Sequence, residues 1–495
     1  MISLARADGD DMHLDNNDPA TAQYLFIVVK FILPILPVKI STDTLLHSVE
    51  PLESGAQFNR LVEYNKETGE LILVPKKKSP AFCLRLDLPA GMAYSFKAIE
   101  AILAEISAVT MGYGDGLDGA EKNPMFDRLF SKNGVYLETI IAAAFERGLS
   151  VWLGGTDDCG VTIFRLLHKL GAWARKTYEG RRVSLGVIVD KDSDSGGMRY
   201  IDFLESKHSA IISDGAFSAV CLDRFGRLIR SEPAFHSSDV TGEEMLDMLV
   251  PFEFIGFAEL CKNNKIGIVL LESGDILVIK DSKLIFSKRN DVWGAYDHDG
   301  IIASITEFLA ADEDKSDRTK MWEHSRLARE IYKTLIDVSY SNTGGCLGII
   351  RSADDAVSLV GSERITFSRF ERGEYDESVA HNESELYLEE QDVSRRRRQA
   401  IANLIWHDGR HRGFGATDRR LRMECMAFDG AVIIDTHGEY ITVGSIVSVD
   451  GGGSGGGRTL AARSIAAKGM GIKISSDGGI MAYEGKECRV LFSTN

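Results

Sequence analysis

Phe428-Asp429-Gly430-Ala431-Val432-Ile433-Ile434-Asp435 is a short apolar run entered through Asp-Gly and left through a second aspartate. A polar turn and another apolar run follow, then Gly451-Gly-Gly-Ser-Gly-Gly-Gly457, then Arg458-Thr-Leu-Ala-Ala-Arg463, and then Ile472-Lys-Ile-Ser-Ser-Asp-Gly-Gly479. This order predicts a strand opened by a carboxylate, a glycine-rich loop leading an arginine into a helix, and a strand ended by a second carboxylate. Such a series lays a nucleotide-handling site along a sheet. Glycines let backbone N–H groups approach phosphate oxygens, and a helix N-terminus adds a favourable partial charge. Arginine adds a planar donor fork. The GGGSGGG run also has the composition of a flexible linker. Its abutment on an Arg-Thr-x-Ala-Ala helix start favours phosphate contact.

Asp429-Gly430-Ala431, the frame Gly456-Gly457-Arg458-Thr459-Leu460-Ala461-Ala462 and Ser475-Ser476-Asp477 together resemble the motif series of the diadenylate cyclase (DAC, or DisA N-terminal) domain family. That family carries Asp-Gly-Ala, then Gly-Thr-Arg-His-Arg-Ala-Ala, then a Ser-Glu-Glu strand end, and it joins two ATP molecules into cyclic di-AMP. The resemblance covers about residues 320–495. It implies a nucleotide site with Asp429 at the ribose 3′-hydroxyl and a metal, Gly430, Ala431, Gly455, Gly456, Gly457, Arg458 and Thr459 around the nucleotide, and Asp477 as a second metal-facing carboxylate. A catalytic member would use Asp429 and Arg458 with Mg2+ or Mn2+, and would work as a homodimer or higher oligomer with two sites face to face. Thr459 and Leu460 stand where the family has His and Arg. Losing one group that stabilises a transition state costs about 10²–10³ in rate. The reading is therefore a divergent member that binds ATP or a related or cyclic dinucleotide as a sensor or signalling module. The alternatives are an active diadenylate cyclase and an interaction scaffold that keeps the fold alone.

The 495 residues suffice for several domains with real cores, and 44% hydrophobic with 26% charged residues is ordinary for a globular chain. A formal charge of −16 argues against general nucleic-acid binding, which needs a basic face. Seven scattered cysteines without a C-x-x-C pair indicate neither a disulfide framework nor a zinc site. The apolar stretch from Tyr24 to Ile40 is broken by Lys30, Pro34 and Pro37 and follows five aspartates, unlike a membrane span or a signal peptide. A cytoplasmic protein without a membrane span is expected.

The expected architecture is multidomain α/β: a disordered stretch over 1–20, an uncharacterised region over 21–133, an α/β domain over 134–310 and the DAC-like mixed sheet flanked by helices over 320–495. In the upstream α/β region, helices are predicted over Tyr136–Arg147 and Val161–Trp173, with a short strand at Ser150–Leu153 and a buried strand at Val183–Val189. A meander follows from Ile266 to Ser287, and an acidic boundary runs from Ala310 to Asp317. Leu327, Ile331, Leu335 and Val338 then share one helix face.

Asp-Gly-Ala by itself discriminates poorly, since it recurs at Asp118-Gly119-Ala120 and Asp214-Gly215-Ala216. The latter leads into a strand and an Asp-x-x-Gly turn, so it reads as a structural echo of a duplicated unit. Arg410-His411-Arg412 spells the missing His-Arg triplet ahead of Asp429, as coincidence or as side chains reaching the site from a neighbouring loop. The acidic stretch Glu371–Asp392 and the run Arg395–Arg398 read as a solvated, self-compensating insertion.

Overall fold

A computed structural model describes residues 135–155, 158–204 (save 179), 214–234, 247–360 (save 315), 413–448 and 456–494, with short segments before residue 103 and between 406 and 411. The run 24–38, Asp118-Gly119-Ala120, the acidic stretch and the arginine run all lie outside the described residues. The chain is a multidomain α/β protein with two mixed sheets flanked by helices. It divides into a unit that includes residues 253–297 and ends there, and a second made of Leu249–Phe252 and His298–Asn495.

In the first unit, helices α1 (Val135–Gly154) and α2 (Asp158–Trp173) precede strands β1 (Leu185–Asp190), β2 (Ser218–Asp223) and β3 (Leu228–Pro233). A short helix α3 (Ile255–Leu260) leads into β4 (Lys265–Leu270), β5 (Ile276–Lys280), β6 (Lys283–Arg289) and β7 (Val292–Ala295). The sheet order is β3-β2-β1-β4-β5-β6-β7. The strand predicted at Ser150–Leu153 is instead the end of α1. Phe145, Leu149 and Leu153 recur at helical spacing and are fully buried, so one helix face continues through the segment.

In the second unit, α4 (His298–Leu309) and α5 (Arg318–Tyr340) precede β8 (Gly345–Ile350) and α6 (Ala353–Val360). Then come α7 (Arg419–Ala427), β9 (Ala431–Asp435), β10 (Tyr440–Ser445), α8 (Gly457–Ala466), β11 (Gly469–Ile474), β12 (Ile480–Glu484) and β13 (Arg489–Thr494). The sheet order is β10-β9-β8-β11-β12-β13. The break between units falls at His298 rather than within the acidic segment after Ala310. Ile305, Phe308 and Leu309 of α4 share a core with Ile331, Leu335 and Val338 of α5 and with Leu347 and Ile472 of the sheet. Burying these side chains, at about 1.5–3 kcal/mol each, outweighs any preference of the polar linker after them.

The two sheets repeat one another. Each has a parallel central pair, β1/β2 and β8/β9, in register at Val187↔Val220 and Leu347↔Val432. Each central strand also pairs antiparallel with the strand after the short helix, Leu185↔Leu270 and Gly345↔Ile474. A bulge interrupts β2/β3 between Cys221 and Leu222, and β9/β10 at the matching Ile433 and Ile434. Another interrupts β5/β6 between Val278 and Ile279, and β12/β13 between Ala482 and Tyr483. The turn after β2 places Asp223 Oδ1 under the N–H groups of Phe225 and Arg227, and the turn after β9 places Asp435 Oδ1 under those of His437 and Glu439.

Two carboxylates set between helices of the second unit are paired with basic side chains. Asp337 of α5 accepts from Arg419 Nε at 2.7 Å and Nη2 at 2.8 Å, and from the Phe252 amide at 2.8 Å. Glu330 accepts from Lys333 at 2.9 Å and from the almost fully buried Arg422. Burial works to raise the Glu330 pKa, but the charges and hydrogen bonds of Arg422 and Lys333 outweigh it and hold the carboxyl below its usual range.

Candidate functional site

Two adjacent glycines shape the cavity end of β9. Gly430 has φ +109°, and a methyl group there would sit 2.5 Å from the Gly444 carbonyl carbon. Only glycine allows β9 to begin so close to the end of β10. Gly444 has φ +69° where the β9/β10 register slips beside Ala431↔Ser445. This places Asp429 at the mouth of a cavity of about 650 Å³, within the usual range for a small-molecule site.

The cavity lies at the starts of the parallel strands β8 and β9 and the ends of β10 and β11. It is lined by Cys346 of β8, by Asp429, Gly430 and Ala431, by Gly456 to Ala461 at the head of α8, and by Lys473, Ser475 and Ser476 from β11 and the turn after it. Ser445, Ile446 and Val447 form its other side, and Ile446 is 66% exposed. Asp429, Gly430, Ala431, Gly456, Gly457, Arg458 and Thr459 thus come together as the sequence order predicts. Gly455 lies outside the described residues. Asp477 does not line the cavity. It sits in the β11–β12 turn, where a Ser475 hydrogen bond and the Gly479 amide hold its carboxyl below the usual range. Asp429 is the one carboxylate among the described lining residues. No cluster of three metal-ligating side chains occurs among the described residues.

Gly456 and Gly457 have ordinary backbone conformations, and a methyl group on either would meet nothing within 4 Å. The fold therefore does not require glycine at these positions; open access to the backbone is what they provide. No side chain caps α8; the Thr459 and Leu460 amides donate to the Gly456 carbonyl at 2.9 and 3.2 Å, which leaves the Gly457 and Arg458 amides of the first turn to meet a ligand. Arg458 donates to the Thr343 carbonyl at 2.9 Å and lies across the start of β8, so tightly that a methyl on Gly344 would sit 2.5 Å from its Nη1. That bond anchors one end of the guanidinium and leaves further donors on its fork. Lys473, which motif reading passed over, adds a second cation to the lining. Its signal was a lysine set between buried Ile472 and Ile474, where strand alternation points it to the opposite face. Beneath them, burial pushes the Cys346 thiol up to about 12 against the pull of Arg458, so this cysteine is a neutral floor and not a nucleophile.

The segment after Arg410-His411-Arg412 is anchored elsewhere. Phe414 N donates to Gly438 O at 2.6 Å, at the end of β9 opposite Asp429. Arg410 and His411 belong to a two-residue hairpin strand, and Arg412 lies outside the described residues. The Gly154–Gly160 turn joins two helices rather than a strand and a helix, and a methyl on Gly160 would meet the Gly155 oxygen at 1.9 Å, so close packing accounts for that glycine.

Among the described residues no helix is long and apolar enough to cross a membrane. Compared with protein-family models, curated proteins and solved structures, the chain has no match.

Proposed function

We propose that the second unit binds the phosphate groups of a nucleotide, ATP or a relative including cyclic dinucleotides, and acts as a sensor or signalling module. One observation carries the reading. Gly456 and Gly457 are glycine without need of the fold, at an uncapped helix start flanked by Arg458 and Lys473. Backbone amides, a helix terminus and two cations around one cavity suit an anion of several charges. The exposed Ile446 and the neighbouring Val447 offer apolar surface for a base. A divalent ion of the Mg2+ or Mn2+ class would have Asp429 as its protein ligand and would take its other ligands from phosphate and water.

The second reading, an active diadenylate cyclase, draws support from Asp429 itself. Its side chain is exposed at the cavity mouth and, among the described residues, accepts no protein hydrogen bond. In that reaction a ribose 3′-oxygen bonds to the α-phosphorus of a second ATP, its proton passes to the carboxylate, and pyrophosphate leaves. Thr459 and Leu460 at the helix head supply no charge for the transition state, which favours binding over turnover.

The test is ATP with Mn2+ on the full chain, following thermal stability and products together. A sensor gains about 2.7 kcal/mol of stability at 100 times Kd without releasing pyrophosphate. Arg458→Ala removes a charge-assisted contact worth about 1.5–3 kcal/mol, so affinity falls roughly 10- to 100-fold. Cyclic di-AMP that disappears in Asp429→Asn would establish the cyclase. No shift with any adenine nucleotide would sink both readings and leave the scaffold.

A further inference from the structure

We infer that the chain is a tandem of two copies of one fold, and that nucleotide binding is confined to the second copy because the first has closed its counterpart of the cavity. The shared strand order, registers, bulges and turns carry the first half. The two hairpin turns add to it: Leu271 N to Asp275 O and Gly274 N to Leu271 O in one copy, Ser475 N to Gly479 O and Gly478 N to Ser475 O in the other. Gly274 and Gly478 take φ of +94° and +93° in them. Gly267 and Gly471 each mark the close passage of the short helix over the strand that follows it.

These registers decide what faces the closed position. Counting back from Asp223 and Asp435, the residue that matches Asp429 is Phe217, so Asp214-Gly215-Ala216 is not the echo of Asp429-Gly430-Ala431. Asp214 instead caps its own turn, its Oδ1 accepting from the amides of Ala216, Phe217 and Ser218. That turn fills space. Gly186, the match of the cavity-floor Cys346, is covered by the Gly215 backbone, and a methyl on Gly186 would sit 2.3 Å from the Gly215 Cα. The Phe257 ring closes in on the same glycine, 3.1 Å from where that methyl would be. Lys473 is matched by Val269, fully buried, and Ser475 by Leu271. At the entry to α3, Glu253 and Phe254 stand at the places of Gly457 and Arg458. The carboxylate, the cations and the open floor have been replaced by apolar groups or by backbone, and the second glycine of the helix start by the acidic Glu253.

The stoichiometry below rests on the nucleotide reading proposed above; the stability arm does not. Equilibrium dialysis of the full chain with ATP should give one ATP per chain, lost in Arg458→Glu. Phe217→Asp, which restores the carboxylate at an exposed position, should add no second ATP. Gly186→Cys, which gives the first copy the residue of the second, should lower the melting temperature, because its side chain collides with backbone. Two ATP per chain would overturn the proposal, as would one ATP that survives Arg458→Glu and is lost in Gly186→Cys. Gly186→Cys at wild-type stability would show that the Gly215 turn does not seat there, and would overturn the closure. If no ATP binds, the nucleotide reading fails and the Gly186→Cys melt alone decides whether the first copy is closed.

Discussion

Gly471→Ala tests how the sheet positions the candidate site. Gly471 is buried in β11 directly beneath α8, and an added methyl would lie 1.8 Å from the Ala462 carbonyl oxygen, 2.7 Å from its carbon and 3.0 Å from its Cα. A helix backbone cannot rotate out of the way as a side chain can, so α8 must retreat by more than an ångström or the strand must bow. Overpacking of this kind costs about 1–3 kcal/mol. It more than cancels the roughly 0.4–1 kcal/mol that Gly→Ala gains by restricting the unfolded chain. The same displacement carries Gly457 and Arg458 at the head of α8 away from the strand ends, and a misplacement of about 1 Å can cost ~10²-fold where geometry matters. The expected outcome is a lower melting temperature together with nucleotide affinity weakened more than tenfold, read by thermal denaturation and ATP titration of one preparation. The matching Gly267→Ala provides the control. There the added methyl meets the Cys261 sulfur and the Phe257 ring, both at 2.4 Å and both side-chain atoms that can shift, so the cost is smaller and ATP affinity is unchanged. A Gly471→Ala protein with wild-type stability and affinity would refute the claim that this contact fixes α8.

Two further predictions concern the buried ion pairs of the second unit. Arg419→Met leaves the Asp337 carboxylate buried with only the Phe252 amide, and should cost about 3–5 kcal/mol in chemical denaturation, whereas Arg419→Met with Asp337→Leu should recover most of that loss. Equal costs for the single and double variants would refute the pairing. The Glu330 carboxyl is depressed in the folded state, so its stabilisation is whole above its ordinary value of 4.5 and is lost as pH falls through the lower folded value. The stability gap between wild type and Glu330→Gln should therefore shrink below pH 4.5, and a gap that widens there would contradict the assignment.

The local sequence carried much of the candidate site. Asp429-Gly430-Ala431 was legible because a positive-φ strand entry demands glycine, and the Gly456-Gly457-Arg458 helix start because a glycine run abutting an arginine stands out within a few positions of the chain. The α5 face of Leu327, Ile331, Leu335 and Val338, and the meander after Ile266, were legible because burial imposes periods of 3.6 and 2 on a contiguous run. Tertiary structure decided what no run records. It left Asp477 out of the cavity, because the turn bonds its carboxyl locally instead of turning it inward. It made Lys473 part of the lining, because β11 ends beside β8 and the head of α8. It turned Ser150–Leu153 into helix, because Phe145, Leu149 and Leu153 share one buried face.

The duplication shows the same division most clearly. The Asp-Gly-Ala tripeptides suggested an echo, but matched Asp214 to the wrong residue, since a three-residue motif carries no register. Strand pairing across the sheet supplies register, and it sets Phe217 at the place of Asp429 and Gly186 at the place of Cys346. By itself the sequence determined most of the strands, helices and glycine turns, Ser150–Leu153 excepted, because those preferences act between near neighbours. Which residues meet at a cavity was settled only by packing between strands far apart in the chain, where the Gly215 backbone covers Gly186 in one sheet and, among the described residues, nothing of the kind covers Cys346 in the other.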